Sequence, residues 1–120
     1  MTSVLNVDEI AAKNGTGPVT LTKQSPAKAW ARFSQSVSGH TPDDSFGISS
    51  TADGGTGDTN ITMTNSMSSI HYAVSFNASQ HHFRNDADHT TSVFQGKATS
   101  SSHTNIDSVR CSAIAYGDLA

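Results

Sequence analysis

The 120-residue sequence predicts an all-β fold, an antiparallel β-sandwich of about six to eight short strands behind an extended N-terminal arm. Three observations predict it. Polar and apolar residues alternate with a period of two in at least four segments, which puts successive side chains on opposite faces of a sheet. Breaks rich in Gly, Pro and Asn separate those segments. Helical spacing occurs only over Asp8–Lys13.

Residues 1–26 read as the arm. Val4-Leu5-Asn6-Val7-Asp8-Glu9-Ile10 is a short apolar alternation, followed by the turn-rich Asn14-Gly15-Thr16-Gly17-Pro18. Val19-Thr20-Leu21-Thr22 alternates once more before Ser25-Pro26. Pieces this short cannot bury a core of their own. Val4, Leu5, Val7 and Ile10 are therefore expected to pair with the body, a sister chain or a neighbouring protein.

The body spans residues 27–120. Ala29–Ser34 begins it, and Phe46–Ser50 follows. Ala52–Asp58 holds three glycines and reads as a hairpin connection, because glycine supplies the positive φ such turns need. Thr59–Thr64 and Tyr72–Asn77 alternate cleanly, and Ser92–Gln95 reads as a short edge strand. Ile106–Tyr116 is the longest strand candidate. The expected core is Trp30, Phe33, Phe46, Ile48, Ile61, Val74, Phe76 and Ile114.

Composition limits the function classes. Leu, Ile, Val and Phe supply only 21 of 120 residues, so a lone core of this size gains little from apolar burial. A homotrimer sharing apolar contact through the arm and one sheet edge is the expected remedy. Ser, Thr and Asn make up 40 residues, and the net charge of −3 leaves no reason for the chain to stay open. The seven Lys and Arg do not cluster, which argues against nucleic acid as a partner. No apolar run approaches a membrane span, and the start lacks the basic and apolar regions of a signal peptide. Synthesis in the cytoplasm follows as an expectation. In that setting the N-x-Ser/Thr triplets at Asn14, Asn60 and Asn77 would not be glycosylated. The single Cys111 excludes an internal disulfide.

No residue set points to catalysis. Asp43-Asp44 and Asp86/Asp88 are carboxylate pairs, but each sits beside a turn residue, Pro42 or Asn85. Gly54-Gly55-Thr56-Gly57 lacks the following Lys of a phosphate loop. His81, His82 and His89, near Asp86 and Asp88, are the only metal candidates, and their spacing matches no metal motif. Adjacent His81 and His82 on a strand would face opposite ways. The plainer reading is an exposed polar loop over Gln80–His89, with no metal and no cofactor.

Four stretches in order carry a resemblance. Lys28–Phe33 resembles a KAW-x-x-F opening. Asp44–Ser50, leading into Asp53–Met63, resembles the pattern SF-x-VSS…D-x-GTG-D-Y-x-V-x-F. Tyr72-Ala73-Val74 and Ile114-Ala115-Tyr116-Gly117 complete the set, and Val4–Asp8 followed by Gly15-Thr16-Gly17 resembles a short leader. Together these are similar to small fibre-like proteins and fibre-tip domains of tailed, often aquatic, bacteriophages. The chain departs from that pattern at Thr59 and Met63, where the family tends to be aromatic, and in its His-rich stretch at 79–89. The resemblance implies a non-enzymatic virion surface module that contributes to host adhesion, with other virion proteins and a host-surface glycan or protein as partners. The alternative is a capsid decoration protein gripping the shell through its arm. No catalytic residue carries over.

Overall fold

The computed structural model describes residues 26–79, 82–84 and 89–120, so the arm residues Val4, Leu5, Val7 and Ile10 lie outside it. The described chain is a β-sandwich of eight strands. These are β1 (Ala29–Phe33), β2 (Pro42–Phe46), β3 (Ile48–Gly55), β4 (Asp58–Met63), β5 (Ala73–Ala78), β6 (His82–Arg84), β7 (Val93–Thr99) and β8 (Cys111–Tyr116). A single 3-10 turn at Ser38–His40 joins β1 to β2. One sheet has the order β2-β1-β8-β5 and the other β3-β4-β7-β6, with every pairing antiparallel.

Period-two alternation sorts the two faces of the first sheet. On β1, Ala29, Ala31 and Phe33 point inward and are buried, while Trp30 is half-buried and Arg32 exposed. On β8, Cys111, Ala113 and Ala115 are buried, and Ser112, Ile114 and Tyr116 alternate with them at intermediate exposure. The inner face of the two central strands is thus largely alanine. The second sheet supplies the bulk, through Ile61, Met63 and Phe94. Phe76 of the first sheet reaches across to Phe94, with ring centroids 5.8 Å apart. Burying a side chain such as Phe94 or Ile61 contributes roughly 1.5–3 kcal/mol.

Several expected core residues occupy other positions. Phe33 and Ile61 are fully buried, and Ile48, Val74 and Phe76 pack against the core at intermediate exposure. Phe46 is not a core residue: it is 58% exposed. Trp30 and Ile114 are also on the outer face, paired with each other and, through Trp30, with Phe46. Trp30 and Phe33 are three residues apart on one strand, so both cannot face the same way. Choosing core residues by size put Trp30 and Ile114 inside, whereas the register puts the neighbouring alanines there.

Strand positions differ in four places, the first being the expected Phe46–Ser50 segment, which is split at Gly47 between β2 and β3. Val93–Thr99 is an interior strand of seven residues between β4 and β7's other neighbour β6, not a short edge strand. Its Gly96 and Lys97 hide the alternation. Only Cys111–Tyr116 of the long C-terminal candidate is strand, because the preceding residues form a loop bonded to β1 through Gln35. His82–Arg84 pairs with β7, so Gln80–His89 is not wholly loop.

Gly47 alone separates β2 from β3 and carries the chain from one sheet to the other. Its φ is +66°, and a Cβ there would lie 2.6 Å from the Lys28 carbonyl oxygen. Its own carbonyl accepts a bond from the Thr64 amide at 2.9 Å. Strain and clash together should make Gly47→Ala lose about 2–4 kcal/mol of stability. Thermal unfolding checks this, with a midpoint lower by roughly 10 °C or more expected and an unchanged midpoint contradicting it.

Candidate functional site

Two polar constellations stand out among the described residues, one inside the sandwich and one outside. Gln35 continues the inward phase of Ala29, Ala31 and Phe33 and is buried. Its Nε2 donates to the Gly57 carbonyl at 2.7 Å and to Thr59 Oγ1 at 3.1 Å. Its Oε1 accepts from the Ser108 amide at 3.0 Å, and its own amide donates to the Ser108 carbonyl at 2.9 Å. One side chain therefore ties β1, the β3–β4 hairpin and the loop before β8. Both side-chain N–H groups and the side-chain oxygen have partners, as burial demands.

His40 extends this network. It is buried in the left-handed backbone region, φ 50°, and its Nδ1 lies 2.8 Å from Thr59 Oγ1. Thr59 Oγ1 thus lies between Gln35 Nε2 and His40 Nδ1, accepting from the first and sharing a hydrogen bond with the second. Nε2 faces Asp53 Oδ1 at 3.6 Å. A hydroxyl, imidazole and carboxylate in line is an order hydrolases use. Here Thr59 is fully buried and its oxygen is held between Gln35 and His40, so a substrate has no path to it. The network clamps the fold.

Only some of the metal and carboxylate candidates expected from the sequence are among the described residues. His81, Asp86 and Asp88 lie outside the described residues, and His82 contributes its backbone to β6. His89 is not on an exposed loop: its ring stacks on Tyr72 at 4.7 Å and meets Phe94 edge-on. Among the described residues no group of three His, Cys, Asp or Glu could hold a metal ion. Asp44 accepts the Ser45 amide, and Asp43 lies 3.9 Å from Arg32. Among the described residues no helix is long and apolar enough to cross a membrane.

The outer face of the first sheet is the second constellation. Phe46, Trp30, Ile114 and Ser75 form one transverse row over β2, β1, β8 and β5. The next row is Asp44, Arg32, Ser112 and Asn77. At its β5 end, Ser79 donates its amide to the Arg110 carbonyl at 2.9 Å, which places Arg110 beside Arg32's row. Between them lies a depression of about 360 Å³. Sequence reasoning missed both constellations. Gln35 was findable from its phase with three inward residues; Arg32 and Arg110 are 78 positions apart and share no local signal.

Two predictions follow from this geometry. Gln35→Leu should cost about 2–4 kcal/mol, since it orphans the buried Ser108 amide and takes a donor from the buried Thr59 hydroxyl, while the Gly57 carbonyl keeps the Ala98 amide. Denaturant unfolding checks it, and a loss below about 0.5 kcal/mol would show that the clamp is dispensable. Burial pushes the Tyr72 phenol up to about 12 and the Cys111 thiol up to about 11. Both folded values lie above the ordinary ones, so the folded chain holds these protons longer than the unfolded chain does. Their contribution is complete below about pH 9 and is lost as pH rises through 11 and 12. Unfolding curves measured between pH 8 and pH 12 should show stability falling across the upper part of that range, and a flat profile would contradict the buried assignment.

Comparison of the chain with protein-family models, with curated proteins and with solved structures finds no match in any of the three.

Proposed function

We propose that this chain is a non-enzymatic structural module of a tailed-phage virion, a fibre-like surface domain that works as a homotrimer and contributes to host-surface adhesion. The observation that supports this reading is the outward placement of Phe46, Trp30 and Ile114 on a cross-clamped sandwich. Large apolar side chains set side by side on an outer sheet face are a feature of interaction surfaces. A rigid β-scaffold with an exposed, mixed aromatic and polar face suits contact with a surface better than it suits chemistry. The similarity of the Lys28–Phe33 and Asp44–Met63 segments to phage fibre proteins points the same way.

Trimer contact is assigned to the arm and one sheet edge. Of the edge strands, β2 carries Pro42, Asp43 and Asp44, β3 carries Asp53, and the three-residue β6 includes Arg84, all of which discourage pairing. The β5 edge, Ala73–Ala78, has neither charge nor proline. It is the edge that fits a sister subunit.

Light scattering of the purified protein and immunogold labelling of particles test the two halves of the reading. A trimer mass and label on the tail are expected. A monomer mass at micromolar concentration removes the trimer, and label spread over the head moves the chain to capsid decoration.

A further inference from the structure

The depression on the outer face has the chemistry of an anion site. Its walls carry Arg32, Asn77, Ser79, Arg110 and Ser112, with no carboxylate among its lining residues. Arg32, Ser112 and Asn77 are register partners on β1, β8 and β5, so a guanidinium, a hydroxyl and an amide stand in line across three strands. At a strand spacing of about 4.8 Å they span roughly 10 Å. Arg32 has two exposed acidic neighbours on β2, its register partner Asp44 and Asp43 at 3.9 Å, and exposed pairs of this kind are easily exchanged. Among the described residues no carboxylate approaches Arg110 within ion-pair distance. Asp107, the nearest in sequence, is taken up by the Gly57 amide.

The neighbouring row changes character. Trp30 precedes Arg32 by two residues on the same face, about 7 Å along the strand. It is flanked by Phe46 and Ile114. A ligand lying over both rows must offer a flat apolar face and, about one ring-width away, an anionic group with neighbouring hydroxyls. A carboxylated pyranose has those features together. Its carboxylate accepts two parallel bonds from a guanidinium, its hydroxyls match the amide and serines, and its C–H face suits an indole. An inorganic anion would leave the aromatic row unused, and a neutral sugar would leave the Arg110 guanidinium without a carboxylate.

We propose that the depression beside Arg32 and Arg110 binds the carboxylate of an acidic saccharide whose ring lies over Trp30. This deepens the adhesion reading and rests on it for its biological setting. It differs in being a property of the purified protein, which particle labelling does not touch. Labelling on the tail without saccharide binding would remove this site alone. Saccharide binding without label on particles would remove the virion reading and leave the site.

The test is titration of the full chain with trigalacturonate, followed by calorimetry and by the fluorescence of Trp30, the single tryptophan. The fully methyl-esterified trisaccharide and inorganic sulfate are titrated in parallel. Arg110→Gln and Arg32→Gln are tested with the acid form; both arginines are exposed, so the thermal midpoint should not move. Expected are a Trp30 emission change with the acid form, and affinity about tenfold weaker for the ester and for each variant. Affinity should also fall as salt rises, as guanidinium contacts in an open site require. Equal binding of acid and ester overturns the proposal. So does absence of any binding to the acid form at about 10 mM, the weak end of measurable affinity. Sulfate binding as tightly as trigalacturonate, with Trp30 emission unmoved, also overturns it, because the site would then recognise charge without a sugar.

Discussion

The sandwich depends on how little side chain the first sheet places between the layers. Ala29, Ala31, Ala113 and Ala115 are all buried on its two central strands, in register as Ala29–Ala115 and Ala31–Ala113. Alanine is small and has no rotamer freedom to lose, so the layer opposite can fill the space with Phe94, Ile61 and Met63 without crowding. A chain with few large aliphatic residues thereby closes a packed core. The same alternation has a second effect. With alanine inside at these positions, the bulky residues between them, Trp30 and Ile114, must stand outside.

The core is not uniform along its length. At one end the aromatic group of Tyr72, Phe76 and Phe94 is sealed by Met67, which bonds to Thr91 and bridges to Leu119. At the other end the space between the sheets is closed by polar groups around Gln35, Thr59, His40 and Ser108. Each has its partners, so the interior tolerates them, and the bonds fix the loops that an apolar contact would leave free to slide. The layers are held by packing at one end and by directed hydrogen bonds at the other.

Much of this was legible from residue order. Alternation in Ala29–Phe33, Thr59–Met63 and Tyr72–Asn77 marks strands whose backbones lie close to where the pattern puts them. The glycine run marks the β3–β4 hairpin. Facing is less legible, because apolar size does not follow phase: Trp30 and Ile114 alternate with smaller inward residues, and Phe46 ends a strand with no buried residue. Short or interrupted patterns hid β6 and the true extent of β7. The outer depression was invisible for a different reason. Arg32 and Arg110 line one depression only because β1 and β8 are neighbours, and no local pattern encodes that pairing.

The adjacency of β1 and β8 has a mechanical consequence. The first and last strands of the body run antiparallel side by side, and the Lys28 amide bonds to the Ala115 carbonyl at 2.8 Å. The start of one and the end of the other lie at the same end of the sheet. Tension applied between position 26 and position 120 would thus peel the pair apart one bond at a time instead of shearing five together. Such a body bears load poorly when strung in series between two anchors. Held from residue 26 alone, it hangs as a pendant whose central strands carry no pull, and its outer face keeps its shape while the tether takes the strain.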